Sequence, residues 1–187
     1  MLTLGGNCAI SFRLKEKRGP FDWCKINLSK LIDVLENNFI DYNKLIIKKE
    51  SIDHHLYIHD KSDSAFEITN DSTLILTNKY GIQFAHEIKR KYQLNKFAER
   101  LKVRIKRFIN YVNPKFIRLE TQNLSKVQMG KYKKLIDVLD KYFINYQIVL
   151  ISKNNIPFKC NKIKWIKLKS FSSDWKFPDI NWEEILI

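Results

Sequence analysis

The spacing of apolar residues at the start of the chain predicts a short strand, a glycine turn and a helix. Residues 2–4 form an apolar run of β type, and Gly5, Gly6 and Asn7 interrupt it. Residues 8–17 can then wind as a helix. This order places the first turn of a helix directly after the end of a strand.

The middle of the chain changes between helical spacing and short β-prone runs. Residues 29–39 have helical period, with Ser29 available as the N-cap. Helical period returns over residues 96–112, where Lys and Arg occupy the faces that apolar residues leave open. Between these helices, polar clusters separate runs typical of hairpins, at residues 45–47, 55–58, 66–69 and 73–76.

The last third alternates strand and helix. Residues 115–119 and 146–151 have the composition of buried strands, and an amphipathic helix is predicted between them over residues 125–143. A further strand is predicted over residues 163–168. Such alternation predicts a parallel pair joined by a right-handed crossover helix. We therefore predict an α/β fold, a single three-layer-like domain over residues 1–187 with a largely parallel sheet and an inserted β-hairpin region.

The charge of the chain is strongly basic. Its 34 Lys and Arg residues outnumber 20 Asp and Glu, which gives a formal net charge of +14 and an isoelectric point near 9.6. Such a field attracts anionic partners. The abundance of Lys, Ile and Asn together is equally consistent with AT-biased coding, so both explanations stay open.

Cysteine usage and the start of the chain bear on location. Cys8, Cys24 and Cys160 are odd in number and widely spaced, which disfavours a disulfide framework and suits a reducing compartment. The first residues lack the basic and apolar regions of an export signal, and no apolar run is long enough to span a bilayer. These features predict a cytoplasmic protein.

Cys8 is the first candidate for chemistry. A thiol in the first turn of a helix, after a glycine turn, is near unpaired amides and the positive end of the helix dipole, which favour the thiolate. The amides of the turn formed by Gly5, Gly6 and Asn7 could bind an oxyanion or a phosphate. The alternative is that Cys8 is a small buried residue that packs a strand against a helix.

His86 is the second candidate. It lies where a β-type run meets a polar helix start, and a histidine with a carboxylate neighbour can serve as a general base. Glu87 is adjacent, but neighbouring side chains usually point apart, so Asp22 is an alternative orienting acid. A histidine at the surface or at a helix cap would explain the residue equally well.

Six motifs resemble, in order, the family of papain-like cysteine peptidases of unknown function. They are LGGNC (4–8), GPFDW (19–23), YGI (80–82), FAHE (84–87), RIKRF (104–108) and FIR (116–118). The resemblance implies a pairing of Cys8 with His86, and it makes an α+β papain-like fold the alternative to α/β. The chain departs from the family at Glu87, where Asp is usual, and at Gly6, which leaves the orienting acid open.

The leading hypothesis is a cysteine-dependent hydrolase or acyl-transfer enzyme that acts on an anionic or acyl-bearing substrate. Cys8 would attack the acyl carbon, His86 would act as base and then acid, and Asp22 or Glu87 would orient the imidazole. No cofactor is called for. The histidines at positions 54, 55 and 59 lack a neighbouring set of zinc ligands, so no metal site is predicted.

Two alternatives come from other classes. Because ligands bind at the carboxyl ends of parallel strands, Arg104, Arg107 and Arg118 could converge there on a nucleotide sugar or another phosphate-bearing ligand of a glycan-biosynthesis transferase. The protein could also be a non-catalytic module that binds an anionic polymer. Nucleic acid is not favoured, because no recognised reading motif is present. The oligomeric state stays open.

Overall fold

A computed structural model of the protein describes residues 1–6, 8–14, 19–51, 73–84, 87–121, 124–169, 177 and 180–186. The helices in these residues are α1 (Cys8–Arg13), α2 (Leu28–Glu36), α3 (Leu94–Ile109), α4 (Lys126–Leu139) and α5 (Trp182–Leu186). The strands are β1 (Leu2–Thr3), β2 (Cys24–Lys25), β3 (Ile46–Ser51), β4 (Thr73–Thr77), β5 (Gln83–Phe84), β6 (Lys115–Leu119), β7 (Gln147–Ser152) and β8 (Ile163–Lys167).

Strands β1, β6, β7 and β8 form a parallel sheet in that order. Leu2 pairs with Phe116, and the ladder between β6 and β7 runs from Lys115 to Leu119. Helix α4 connects β6 to β7, which confirms the strand–helix–strand unit predicted for the last third of the chain. Ser125 caps this helix by accepting a hydrogen bond from the Gln128 N–H.

The parallel sheet is covered on both faces, because successive residues of its strands point to opposite sides. Phe116, Ile148 and Leu150 belong to the larger apolar cluster, which also takes in buried residues of α2, α3 and α4. Ile117 and Val149 belong to a second cluster with residues of α1 and α5. The result is the mixed α/β architecture that was predicted, and it is also compatible with an α+β papain-like fold.

A second, antiparallel sheet has the order β2-β5-β4-β3. The predicted runs at 45–47 and 73–76 correspond to β3 and β4, which pair with each other. The predicted strands at 55–58 and 66–69 lie outside the described residues. Strands β2 and β5 were not predicted as strands of one sheet, because two-residue strands are too short to show a period.

Several helix predictions need correction. The helices predicted to end at residues 17, 39 and 143 end at Arg13, Glu36 and Leu139. Helix α2 begins at Leu28 and its N-cap is Asn27, whose side chain accepts from the Lys30 N–H, so Ser29 lies inside the helix. Helix α3 ends at Ile109, which leaves Val112 beyond its last turn and 79% exposed. None of the helices in the described part of the chain has the length and apolar character to cross a membrane.

Candidate active site

The glycine turn after β1 has a backbone shape that favours glycine. Gly5 and Gly6 have φ values of 74° and 101°, in the left-handed region where a side chain is strained. A Cβ at Gly5 would collide with the Ile26 side chain, and one at Gly6 would lie 2.6 Å from the Leu119 carbonyl oxygen. The turn therefore lies against the carboxyl end of β6, and the backbone of Cys8 begins α1 beyond it.

A fully buried guanidinium supports this turn from inside the molecule. Arg118 donates from Nη1 to the Leu4 carbonyl at 2.8 Å and from Nη2 to the Ile26 carbonyl at 3.2 Å. Its Nε donates to the Glu120 carboxylate at 2.6 Å, and the same oxygen accepts a hydrogen bond from the Tyr132 hydroxyl at 2.7 Å. All three guanidinium nitrogens of Arg118 thus donate hydrogen bonds to protein oxygens, and these bonds fix the turn in place.

The charges in this network stabilise one another. Burial by itself lowers the pKa of the Arg118 guanidinium, but the charge of Glu120 and the interactions with Tyr132 and the Glu120 carboxylate together outweigh that effect and leave the pKa above its ordinary value. Burial raises the pKa of the Tyr132 phenol well above its ordinary value, and the Glu120 carboxylate acts in the same direction. Arg118 therefore stays charged, and Tyr132 stays a hydrogen-bond donor.

A hydrogen bond joins α1 to the segment that precedes β2. The backbone N–H of Trp23 donates at 3.0 Å to Oγ of Ser11, which is buried. Ser11 follows Cys8 by three residues, so the two positions lie on one face of the helix. Trp23 has a φ of 52°, an uncommon conformation for a residue with a large side chain and one that is found at functional sites.

The same segment continues into the strand that pairs with β5. Cys24 pairs with Phe84 and Lys25 with Gln83 in antiparallel register. His86 follows this strand in sequence. His86 and Asn7 lie outside the described residues, as does the side chain of Cys8, so the contact between Cys8 and His86 stays a prediction.

Glu87, one of the two candidate acids, forms a bidentate ion pair with Arg104. The guanidinium nitrogens lie 2.6 Å and 3.2 Å from the two carboxylate oxygens, and the side chains are only 6% and 2% exposed for Arg104 and Glu87. Arg100 adds a hydrogen bond of 3.1 Å to the Glu87 carbonyl. Both carboxylate oxygens are therefore directed at Arg104.

Asp22, the other candidate acid, is buried in the turn that precedes β2. Its Oδ2 accepts a hydrogen bond from the Gly19 N–H at 2.6 Å. The Tyr42 hydroxyl donates to the Pro20 carbonyl in the same turn at 2.8 Å. Because burial raises the pKa of Tyr42 well above its ordinary value, this hydroxyl remains protonated and keeps donating.

The structure brings two of the three predicted ligand-binding arginines together. Arg104 and Arg107 border a cavity of about 680 Å³ beside Leu2, at the start of β1. Arg118 lies under the glycine turn, beyond the other end of β1, with its charge compensated by Glu120. The three side chains therefore do not converge on the carboxyl edge of the sheet.

Sequence reasoning missed several residues that build this site. Ser11 lies one helical turn after Cys8, and that spacing could have suggested it. Glu120 follows Arg118 by two residues, so both project from one face of the sheet, and this pattern is a usable sign of an ion pair. Tyr132 and Tyr42 form hydrogen bonds with residues of the site that are distant in sequence, and no local sequence pattern predicts these contacts.

The fold and the site define an α/β protein that presents a cysteine after a glycine turn at the edge of a parallel sheet. A family model described as "putative papain-like cysteine peptidase" matches residues 1–154, and the chain belongs to that family. The matched span contains every candidate residue named above. No curated protein and no solved structure matches the chain.

Proposed function

We propose that the protein is a cysteine-dependent hydrolase or acyl-transfer enzyme with Cys8 as nucleophile and His86 as base. His86 takes the thiol proton, the sulfur bonds to the acyl carbon, and His86 returns the proton to the leaving group. Water or another acceptor then attacks the thioester, gives its proton to His86 and releases the acyl group, and the thiol is restored. Backbone N–H groups beside Cys8 would hold the oxyanion.

The observation that carries this proposal is the position of Trp23 between the two candidate segments. Its N–H is bonded to Ser11 of α1, the helix that begins at Cys8. The next residue, Cys24, pairs with Phe84, two positions before His86. Both segments therefore attach to one short stretch of backbone.

The described residues on either side of His86 have fixed partners. Phe84, two positions before His86, pairs with Cys24. Glu87, the next residue after His86, is fixed to Arg104 by the bidentate ion pair. Anchored neighbours on both sides support a His86 that is held close to the stretch around Trp23.

Between the two candidate acids, the hydrogen bonds favour Asp22 as the group that orients His86. Glu87 directs both carboxylate oxygens at Arg104, which compensates its charge. Asp22 belongs to the stretch next to β2 and is buried, and its Oδ2 accepts the hydrogen bond from Gly19. A buried carboxylate beside an imidazole stabilises the imidazolium formed during the reaction.

The proposal is tested by the rate at which each cysteine reacts with iodoacetamide, followed by peptide mass spectrometry. We expect Cys8 to react faster than Cys160, which is partly exposed and serves as the matched control, and faster than buried Cys24. A thiolate paired with an imidazolium should keep reacting well below pH 8.5, the ordinary pKa of a thiol, since pairing of this kind lowers that pKa. His86→Ala should return the pH profile of Cys8 to that of Cys160.

Two results would contradict the proposal. One is a Cys8 that reacts no faster than Cys160 at any pH. The other is a Cys8→Ala protein that retains full turnover on a thioester or amide substrate which the wild-type protein cleaves.

A further inference from the structure

The cavity beside Arg104 and Arg107 has the size and the lining of a small-molecule site. Its volume is about 680 Å³, inside the range of about 300–1,000 Å³ that is usual for ligand pockets. Leu2 and Phe108 are both buried and provide apolar surface, and Val112 adds a largely exposed apolar side chain. The cavity can therefore bury an apolar group.

Among the described residues that line the cavity, the uncompensated positive charge is concentrated at one. The charge of Arg104 is compensated by the bidentate contact with Glu87. Arg107 is exposed and has no ion-pair partner among the residues that the structure describes. Asn110 lines the same cavity, and its amide nitrogen is bonded to the Lys106 carbonyl. One uncompensated guanidinium beside apolar walls suits one anionic group.

From these features we propose that the cavity binds an amphiphilic anion, a carboxylate or phosphate carried on an acyl or aryl group. The anion contacts Arg107 at the mouth, and the apolar group lies against Leu2 and Phe108. Among the described lining residues, a polyphosphate would find one uncompensated cation for its several charges, and a neutral lipid would leave Arg107 without a partner. This proposal does not depend on the chemistry proposed for Cys8.

The lining also connects this cavity with the two candidate acids. Gly19 borders the cavity and donates its N–H to Asp22, while Arg104 borders it and holds Glu87. A ligand in the cavity would thus contact the residues that position both carboxylates. The cavity adjoins the start of β1, whereas Cys8 follows its other end, so ligand and thiol occupy different places.

The test is a calorimetric titration of the full chain with octanoate, octyl phosphate, 1-octanol and inorganic phosphate. We expect saturable binding of octanoate or octyl phosphate, at least tenfold tighter than 1-octanol or phosphate alone. Whichever anion binds more tightly identifies the head group. Arg107→Ala should abolish the advantage over 1-octanol, and Val112→Glu should weaken binding by placing a negative charge at the mouth.

Matched controls separate a specific site from general attraction to a basic protein. Lys106→Ala removes the same charge from an exposed neighbour on α3, and Val103→Glu adds the same charge at a half-exposed position of that helix; both should change affinity less than twofold. Equal weakening by Arg107→Ala and Lys106→Ala, or no saturable binding of either anion, overturns the proposal. Cys8→Ala should bind the anions like the wild-type protein. The binding result can therefore be interpreted even if Cys8 proves not to be a nucleophile.

Discussion

The two sheets contribute to the candidate site in different ways. The parallel sheet has strands of five and six residues at β6, β7 and β8, paired along their length, and it leads through β1 to the glycine turn and Cys8. Next to the antiparallel sheet, the candidate acids Asp22 and Glu87 lie close in sequence to β2 and β5, which have two residues each.

Side-chain bonds complete the anchoring on both sides of the site, but in different ways. Strand β1 pairs with β6 over only two residues, and the buried guanidinium of Arg118 fixes the glycine turn that follows it. A two-residue ladder contributes few hydrogen bonds, so the segments around β2 and β5 depend on other contacts. Tyr42 with Pro20, Gly19 with Asp22, and Arg104 with Glu87 provide them. One buried arginine therefore holds the turn before Cys8, whereas several separate bonds hold the segments around the two candidate acids.

The largest effect should come from removing the buried arginine of the parallel sheet. Arg118→Met leaves Glu120 buried without its partner and two carbonyls without a donor, so it should lower the free energy of unfolding by about 3–5 kcal/mol. Arg104→Met should cost less, because Arg100 lies 3.9 Å from the Glu87 carboxylate and can replace part of the lost charge. Urea denaturation measures both losses.

A double variant sharpens this comparison. Arg118→Met combined with Glu120→Gln removes the unpaired buried charge and should recover part of the stability that Arg118→Met loses. The contradicting outcome is that Arg104→Met and Arg118→Met lower the free energy of unfolding equally. In that case one arginine would anchor the antiparallel half as strongly as Arg118 anchors the parallel half, which contradicts the proposed difference between them.

The next effect separates the two candidate acids. Asp22→Asn can still accept the Gly19 N–H but loses its charge, so the rate of the Cys8-dependent reaction should fall by about 10²-fold or more with little loss of stability. Glu87→Gln breaks the buried ion pair with Arg104 and should instead lower the unfolding free energy by about 1–3 kcal/mol. Its effect on rate should be the smaller of the two.

The measurements are the same for both variants, which makes the outcome decisive. Reaction of Cys8 with iodoacetamide gives the rate and its pH profile, and urea denaturation gives the stability. A Glu87→Gln protein with the larger loss of rate would show that Glu87 orients His86 and that Asp22 serves only the turn.

The parallel half could be predicted from the sequence, and the antiparallel half mostly could not. Residues 115–119 and 146–151 are short, mostly apolar β-prone segments with a helix between them, so local pattern indicates a buried parallel pair. The glycine turn was also predictable, since Gly5-Gly6 directly follows an apolar run. Strands β2 and β5 are too short to show any period, and only pairing between distant residues creates them.

The site residues follow the same division. Cys8, Asp22, His86 and Glu87 were selected from local context and family resemblance. The burial of Arg104 could not be predicted, because its helix carries basic residues on several faces and only the tertiary position of Glu87 decides which of them turns inward. The partners of Arg118, Leu4 just after β1 and Ile26 before α2, are also distant in sequence, 114 and 92 residues away.

The smallest expected effect concerns the hydrogen bond between Ser11 of α1 and Trp23, the residue before β2. Ser11→Ala removes the acceptor of the Trp23 N–H and should lower the free energy of unfolding by about 1 kcal/mol, the usual contribution of one hydrogen bond. Ser29→Ala is the matched control, because Ser29 accepts a hydrogen bond from Lys131 at an exposed site away from this joint. Only Ser11→Ala should also slow the reaction of Cys8, since the segment leading to β2 and β5 would no longer be tied to α1. If both variants leave the labelling rate of Cys8 unchanged, the bond between Ser11 and Trp23 does not align the thiol with its base, and the alignment must come from contacts elsewhere in the fold.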